Sequence, residues 1–171
     1  GINAVSFGFE VVATNPPLPC LPPTECGSFC TFNGLGHGIY VSQLDGMRPY
    51  RIVQAEFENC WRGITSAAAS GGTILFNEFL FGSTPSAFSA SPEDQIGIQL
   101  DGQHAGFEIQ ENSFIYDEEG VTNSIGFRIA GIGIAPKVLR KNYFTGIMVP
   151  HEAFGRNALN AEVNSSGLRL L

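Results

Sequence analysis

The sequence predicts an all-β fold in which short strands stack turn upon turn around a filled core. Two motifs that recur along the 171 residues, together with 21 glycines and 10 prolines, carry this prediction. The first motif is a glycine followed by an apolar, a variable and another apolar residue. The second is an asparagine that lies between two apolar residues. A unit that recurs in this way cannot bury its apolar face alone, so neighbouring copies are expected to stack.

The composition fits a single domain over residues 1–171. Hydrophobic residues make up 43% of the chain and charged residues only 15%, which is typical of a chain that forms a core. The formal net charge of −7 disfavours binding to nucleic acid or to an anionic membrane. The sequence has no apolar run of roughly 18 residues, the length that a membrane-spanning helix needs. No signal peptide is visible in this sequence.

Copies of the first motif predict one strand in each turn. Their glycines, of which the third starts a degenerate copy, are Gly8, Gly38, Gly63, Gly97, Gly126, Gly146 and Gly167. Residues of a strand alternate between its two faces, so the residue after each glycine is expected to point inward and the next residue outward. The predicted outward row is Glu10, Tyr40, Thr65, Gln99, Arg128, Met148 and Arg169. The sequence predicts one stacked internal row that contains Ile39, Ile64, Ile98, Phe127, Ile147 and Leu168.

Copies of the second motif predict a second strand, a corner and a third strand. The clear copies are Cys30-x-x-Asn33-x-Leu35, Ile74-x-x-Asn77-x-Phe79, Ile109-x-x-Asn112-x-Phe114 and Leu139-x-x-Asn142-x-Phe144. Ala55-x-x-Glu58-x-Cys60 is a weaker copy, and Ile2-x-x-Val5-x-Phe7 is a candidate for the first. The register of the last copy stays open between a start at Phe154 and a later start near Leu159.

Stacked copies place equivalent side chains over one another. We expect Phe79, Phe114 and Phe144 to form an internal aromatic stack, continued by Leu35 and Cys60. Burial of each phenylalanine contributes about 1.5–3 kcal/mol. A further internal row is predicted to contain Cys30, Ala55, Ile74, Ile109 and Leu139.

The asparagines of the second motif are interpreted as corner residues and not as catalytic groups. Asparagine tolerates the left-handed or bridging backbone of a sharp corner. Its amide can also hydrogen-bond to the asparagine above and below, as in other stacked-strand structures. The sequence therefore predicts an asparagine ladder that contains Asn33, Asn77, Asn112 and Asn142.

Turns longer than about 20 residues imply insertions, and loops on a rigid scaffold often carry binding sites. The predicted insertions are residues 12–29, 42–51, 80–96 and 115–125. Three of the four cysteines lie close together, without the second cluster that a zinc site needs. A Cys20–Cys26 disulfide is favoured, with Cys26–Cys30 as the next choice, and Cys30 and Cys60 are then buried thiols. A disulfide would indicate an oxidising, exported setting.

The "GI-x-V" and "I-x-x-N-x-F" copies together resemble the right-handed parallel β-helix repeat proteins, which include pectate-lyase-like enzymes, surface adhesins and tailspikes. The chain also resembles segments of exported bacterial surface proteins. The resemblance implies about six to seven coils and a secreted or cell-surface location. A leucine-rich repeat is the nearest alternative, but its period is steadier than the spacing here and its repeats often contain helical segments.

Enzymes of the resembled group act on polysaccharides with outward carboxylates or a calcium–arginine pair. The copies place Glu56, Glu78 and Glu111 in different columns, so no catalytic residue is assigned. Asp101 and His104 are a candidate site, although Asp101-Gly102 reads more simply as a turn.

A basic group, an acidic run and two histidines are further candidates for binding sites, and each also has an interpretation without a ligand. The local basic group Arg128, Lys137, Arg140 and Lys141 is either an anionic-glycan site or a solvated face. The acidic run 117–119 is either a calcium site or an acidic loop, with the loop favoured. His37 and His151 are placed at corners, with no clear partner in the sequence. No other cofactor or metal is predicted.

No capping element is visible at either end of the sequence. A bare terminal coil exposes strand edges and core. The chain is therefore expected to be a piece of a longer polypeptide, or to have its ends covered by a partner or another copy. The favoured function is a rigid scaffold that displays loops for adhesion or ligand binding, including glycans. A polysaccharide-active enzyme and a filament assembled through the coil ends are the alternatives.

Overall fold

The computed structural model describes residues 1–5, 10–12, 29–42, 49–68, 71–82, 95–102, 106–116, 124–130, 137–154 and 161–164. Within these ranges all regular secondary structure is β-strand. The same ranges contain no helix that could span a membrane. The strands are β1 Ile2–Val5, β2 Glu10–Val12, β3 Cys30–Asn33, β4 His37–Ser42, β5 Tyr50–Val53, β6 Ala55–Glu58, β7 Arg62–Ala67, β8 Gly72–Leu75, β9 Glu78–Phe81, β10 Gln95–Asp101, β11 Phe107–Gln110, β12 Ser113–Tyr116, β13 Ser124–Ala130, β14 Lys137–Arg140, β15 Tyr143–Thr145, β16 Val149–Phe154 and β17 Ala161–Asn164.

The described strands form three parallel sheets that the chain visits in rotation. Sheet 1 has six strands in the order β1-β4-β7-β10-β13-β16. Sheet 2 has six strands in the order β17-β14-β11-β8-β5-β2, and sheet 3 has five in the order β15-β12-β9-β6-β3. Each strand therefore pairs with its equivalent in the next turn, which confirms the predicted stacking of parallel strands.

The predicted aromatic stack is confirmed, but its first members differ. Phe79, Phe114 and Phe144 lie in register on β9, β12 and β15. Their rings are stacked, with centroids 4.7 Å apart for Phe79–Phe114 and 4.9 Å for Phe114–Phe144. The stack continues through Phe57 and Phe32, not through Cys60 and Leu35 as predicted. The physical reason is that flat aromatic rings stack best on other aromatic rings, so the column continues through phenylalanines. The weaker copies of the motif were aligned on other residues and did not show this.

The same shift corrects the second internal row. Ile74, Ile109 and Leu139 lie in register as predicted. The row is continued by Ile52 and Val11, and on the other side by Val163.

Cys30 and Ala55 are not in that row. Both lie on sheet 3, opposite each other, two residues before Phe32 and Phe57. The copies that began at Cys30 and Ala55 were thus aligned three residues too far along the chain.

The first motif is confirmed in its central copies and wrong in the copies at Gly8 and Gly146. Ile39, Ile64, Ile98 and Phe127 form one row of sheet 1. Ile2 precedes this row, so the copy at Gly8 and the candidate start Ile2-x-x-Val5-x-Phe7 are both wrong.

In the last turn the row is continued by His151, not by Ile147. Phe154 lies opposite Ala130 on sheet 1, so it does not start the last copy of the second motif. Leu168 lies outside the described residues.

The two motifs fit together because the recurring glycines face the aromatic stack. A Cβ on Gly97 would lie 2.7 Å from the carbonyl oxygen of Gly126 and 2.7 Å from the ring of Phe114. Gly38 and Gly63 meet the rings of Phe57 and Phe79 in the same way. Glycine therefore recurs in sheet 1 because the phenylalanine rings of sheet 3 occupy the space of its side chain.

The asparagine ladder is confirmed for three residues. Asn77 Nδ2 donates to Asn112 Oδ1 at 2.9 Å, and Asn112 Nδ2 donates to Asn142 Oδ1 at 3.0 Å. The same amide nitrogens also donate to the carbonyls of Ile52 and Ile74. All three asparagines are buried.

The prediction that Asn33 belongs to the ladder is wrong. This residue is exposed at the end of β3, and its amide donates to Glu58. The left-handed backbone also differs from the prediction, because it falls on the residue before each ladder position. These residues, with φ between 53° and 56°, are Gln54, Phe76, Glu111 and Lys141.

Cys60 is a buried free thiol, as predicted, and Cys30 is a free thiol that is only partly buried. The alternative Cys26–Cys30 disulfide is therefore not formed. Burial raises the pKa of the Cys60 thiol, which keeps it protonated near neutral pH. Cys20 and Cys26 lie outside the described residues, as does most of each predicted insertion.

Candidate functional site

The outer side of sheet 1 carries a connected group of polar and aromatic side chains from β4 to β10. This group, called the sheet 1 cluster, contains His37, Tyr40, Trp61, Arg62, Thr65, Gln99 and Asp101. Tyr40, Thr65 and Gln99 lie in register on three neighbouring strands. Because Ile39 and Val41 are fully buried, strand alternation turns Tyr40 outward.

Arg62 is the most constrained charged residue of the sheet 1 cluster. Its side chain is 4% exposed, and its guanidinium carbon lies 3.9 Å from the centre of the Trp61 ring. Its Nη1 donates to the carbonyl of Trp61 at 3.0 Å, and its Nε donates to Gln99 Oε1 at 3.0 Å. Hydrogen bonds and a cation–π contact compensate the burial of the charge and fix the guanidinium in place.

Gln99 links Arg62 to Asp101, and its orientation is set by the chemistry of both partners. Arginine can only donate, and an ionised aspartate can only accept. The amide oxygen of Gln99 therefore faces Arg62, and its nitrogen donates to Asp101 at 2.5 Å. The three side chains form a directed chain of hydrogen bonds across β7 and β10.

His37 joins the aromatic side chains to this polar network. Its Nδ1 lies 3.0 Å from Thr65 Oγ1. Its ring makes edge contacts with Tyr40 at 5.8 Å and with Trp61 at 5.9 Å. Burial, and then the charge of Arg62, lowers the pKa of His37, so the imidazole is neutral at pH 7.

The sheet 1 cluster combines accessible and buried groups. His37 is exposed, and Tyr40, Trp61, Gln99 and Asp101 are partly exposed, while Arg62 and Thr65 are buried beneath them. Aromatic faces beside fixed hydrogen-bonding groups suit a ligand that has both apolar and hydroxylated surfaces.

Insertions flank this surface in the chain. Residues 43–48 follow β4 directly, while 83–94 and 117–123 lead directly into β10 and β13. All three segments lie outside the described residues.

A second feature corrects the prediction that the glutamates lie in different columns. Glu56 and Glu78 are directly opposite each other on β6 and β9, on the outer side of sheet 3. Partial burial, and then the charge of Glu56, raises the pKa of Glu78. The error arose from the shifted alignment of the copy around Ala55. Glu111, by contrast, lies at a corner and pairs with Lys141 at 3.2 Å.

The predicted basic group is split by the fold. Arg128 lies on sheet 1, whereas Lys137 and Arg140 lie on sheet 2. Arg140 donates to Gln110, and Lys141 is paired with Glu111. The four residues therefore do not form one anion-binding surface.

The remaining candidates have mixed outcomes. Asp101 ends a strand and belongs to the sheet 1 cluster, while its proposed partner His104 and the acidic run 117–119 lie outside the described residues. His37 begins β4, beside a corner as predicted, but it has partners, and His151 lies within β16 and not at a corner. In the described part of the chain, no group of three or more His, Cys, Asp or Glu side chains is arranged to hold a metal ion.

Sequence reasoning identified Tyr40, Thr65 and Gln99 as outward residues but missed Trp61 and Arg62. The available signal was their position just before the recurring glycine. That position places Arg62 opposite His37 on the neighbouring strand.

The comparisons with known proteins add no family. The chain matches no protein-family model, and no curated protein or solved structure is significantly similar to it.

Proposed function

We propose that this chain is a right-handed parallel β-helix segment of an exported or cell-surface protein, and that it binds a glycan on the outer side of sheet 1. The parallel strands of three sheets visited in rotation support the β-helix. The right hand is proposed because crossovers between parallel strands are right-handed in about 98% of cases. The pectate-lyase-like likeness remains an analogy of fold.

The sheet 1 cluster is the observation that carries the binding proposal. Sugar rings present apolar C–H faces and rims of hydroxyl groups. Tyr40 and Trp61 provide aromatic surface, and Gln99 and Asp101 provide planar donors and acceptors, with Gln99 held from beneath by Arg62. The hydrogen bonds between neighbouring strands hold these groups in place before a ligand binds, which limits the entropy lost on binding.

A glycan array tests this function. The chain is expected to bind a restricted set of oligosaccharides, and Tyr40→Ala is expected to weaken binding at least about tenfold through loss of an aromatic contact. The matched control is Tyr143→Ala, because Tyr143 is 55% exposed on sheet 3, away from the cluster. Thermal unfolding of both variants shows whether each remains folded. Equal loss in the two variants, or no binding by the parent chain, contradicts the proposal.

The pair Glu56–Glu78 favours a second candidate function, cleavage of a polysaccharide. Neighbouring strands lie about 4.8 Å apart, and retaining glycosidases hold two carboxyl groups about 5–5.5 Å apart. A raised pKa suits Glu78 to the role of general acid. Release of reducing ends from array-positive glycans, abolished by Glu78→Gln and by Glu56→Gln, would support this function. Intact glycans after prolonged incubation would exclude it for those substrates.

A further inference from the structure

We propose that the glycan bound by the sheet 1 cluster carries an anionic group, a carboxylate or a sulfate, that contacts His37, and that binding strengthens as His37 gains a proton. This inference rests on the proposed glycan-binding function. It adds the charge of the ligand and a dependence on pH.

The first support is the fixed positive charge of Arg62. The guanidinium is held by Gln99 and Trp61 and is almost completely removed from solvent. Charges interact more strongly in a partly buried setting than in bulk water. The charge of Arg62 therefore acts on His37 and on a ligand that lies beside it.

The second support is the placement of His37. Its Nδ1 is engaged with Thr65 Oγ1, and its ring is held between Tyr40 and Trp61, yet the residue is exposed. When Nδ1 interacts with Thr65, Nε2 is the ring nitrogen available to a ligand. A protonated imidazole donates from both nitrogens, so an anion at Nε2 gains a charge-assisted hydrogen bond.

The surroundings of His37 fix the sign of the effect. On β7 it meets Arg62 and Thr65, and beyond them on β10 lies Asp101, whose carboxylate accepts from Gln99. On the β1 side, Gly1 lies beside the backbone carbonyl of His37. Burial, and then the charge of Arg62, lowers the pKa of His37. A bound anion opposes this effect because it stabilises the imidazolium.

Linkage then requires tighter binding at lower pH. If the anion raises the pKa of His37 by about one unit, affinity gains up to about tenfold as the pH falls through the range where free His37 is neutral and bound His37 is protonated. The expected change between pH 7.5 and pH 5.5 is therefore about three- to tenfold.

The experiment uses one array that holds neutral, carboxylated and sulfated forms of the same oligosaccharide backbones, read at pH 7.5 and pH 5.5. Comparison of the carboxylated and sulfated members identifies which anion is bound. The variant His37→Gln keeps a polar group beside Thr65 but cannot become charged. The control Arg140→Gln removes a cation from sheet 2, where it contacts Gln110.

We expect anionic members to bind more tightly than their neutral forms, with a gain at pH 5.5 that persists in Arg140→Gln and disappears in His37→Gln. Equal binding of neutral and anionic members, or a gain that persists in His37→Gln, overturns this inference and leaves glycan binding in place. Absence of binding to every member at both pH values instead overturns the proposed function itself.

Discussion

The turns that contain Asn77, Asn112 and Asn142 differ at one corner from the turns that contain Cys30 and Ala55. In the former, a buried amide joins each turn to the next. In the latter, the backbone nitrogen of Ala55 caps the ladder by donating to Asn77 Oδ1 at 2.9 Å. The phenylalanine stack nevertheless continues through both regions.

This comparison separates two structural roles. The ring spacing changes only from 4.7 Å between Phe79 and Phe114 to 5.1 Å between Phe32 and Phe57, where the ladder is absent. The aromatic stack and its facing glycines therefore set the packing of all these turns. The asparagines add a local connection at one corner of the later turns.

The largest difference between the two regions is expected on removal of a stacked ring. Phe114 is fully buried between two other rings, so Phe114→Ala is expected to lower the free energy of unfolding by about 3–5 kcal/mol. Phe32 is only partly buried, and Phe32→Ala should cost roughly half as much. Chemical denaturation measures both. Equal losses would show that the two regions are packed alike.

A methyl group on a facing glycine should cost somewhat less. Gly97→Ala places a carbon 2.7 Å from a backbone carbonyl as well as from the Phe114 ring, so the strand must move. Overpacking of this kind costs about 1–3 kcal/mol.

The control is Gly34→Ala, where nothing lies within 4 Å of the added carbon and only the left-handed backbone, with φ 65°, is strained. A Gly97→Ala variant as stable as the parent chain would contradict the role assigned to the glycine row.

Loss of one ladder amide tests the corner alone. Asn112→Ala removes the acceptor of Asn77 and the donor to the carbonyl of Ile74, so buried groups lose partners. Each unsatisfied group costs about 1–3 kcal/mol, and a total near 2–3 kcal/mol is expected because the site relaxes in part. Asn33→Ala, at an exposed residue outside the ladder, should change the unfolding free energy by less than about 0.5 kcal/mol. Similar losses at both residues would show that the ladder adds nothing.

The regular turns were predictable from the sequence because the same residue types recur there at the same spacing. Ile74-x-x-Asn77-x-Phe79 and its two later copies keep the same residue type at each position, and the structure superposes them in register. The turn of Ala55 broke the pattern only at the asparagine, whereas in the turn of Cys30 a long stretch of chain also separates Val11 from Phe32. Because the copies were aligned on the asparagine, the alignment was shifted in these turns. The predicted stack therefore did not include Phe57, whose ring is part of it.

The candidate site was less predictable for a related reason. An outward row can be assigned from strand alternation, which correctly placed Tyr40, Thr65 and Gln99. Lateral contacts between turns depend on the length of chain that separates them, and no local pattern fixes this. The Arg62–Gln99 hydrogen bond joins residues 37 positions apart, and the opposition of Glu56 and Glu78 depended on a register that the sequence left misaligned.

The smallest effect concerns the outer side of sheet 3, which contrasts with the compensated charges of sheet 1. Glu56, Glu58 and Glu78 lie on neighbouring strands, and the described strands of sheet 3 contain no Lys, Arg or His. Burial and then repulsion by Glu56 raise the pKa of Glu78 above its usual value of 4.5. The folded chain therefore binds this proton more readily than the unfolded chain does.

It follows that the free energy of unfolding rises as the pH falls from neutral through the raised pKa of Glu78, and that this contribution is lost again as the pH rises. Solvent screening of a half-exposed group limits the effect to about 0.5 kcal/mol or less. Glu78→Gln should flatten this part of the stability–pH curve. An unchanged curve in Glu78→Gln would mean that the two carboxylates avoid each other through their side-chain conformations, and the opposition on sheet 3 would then cost the fold nothing.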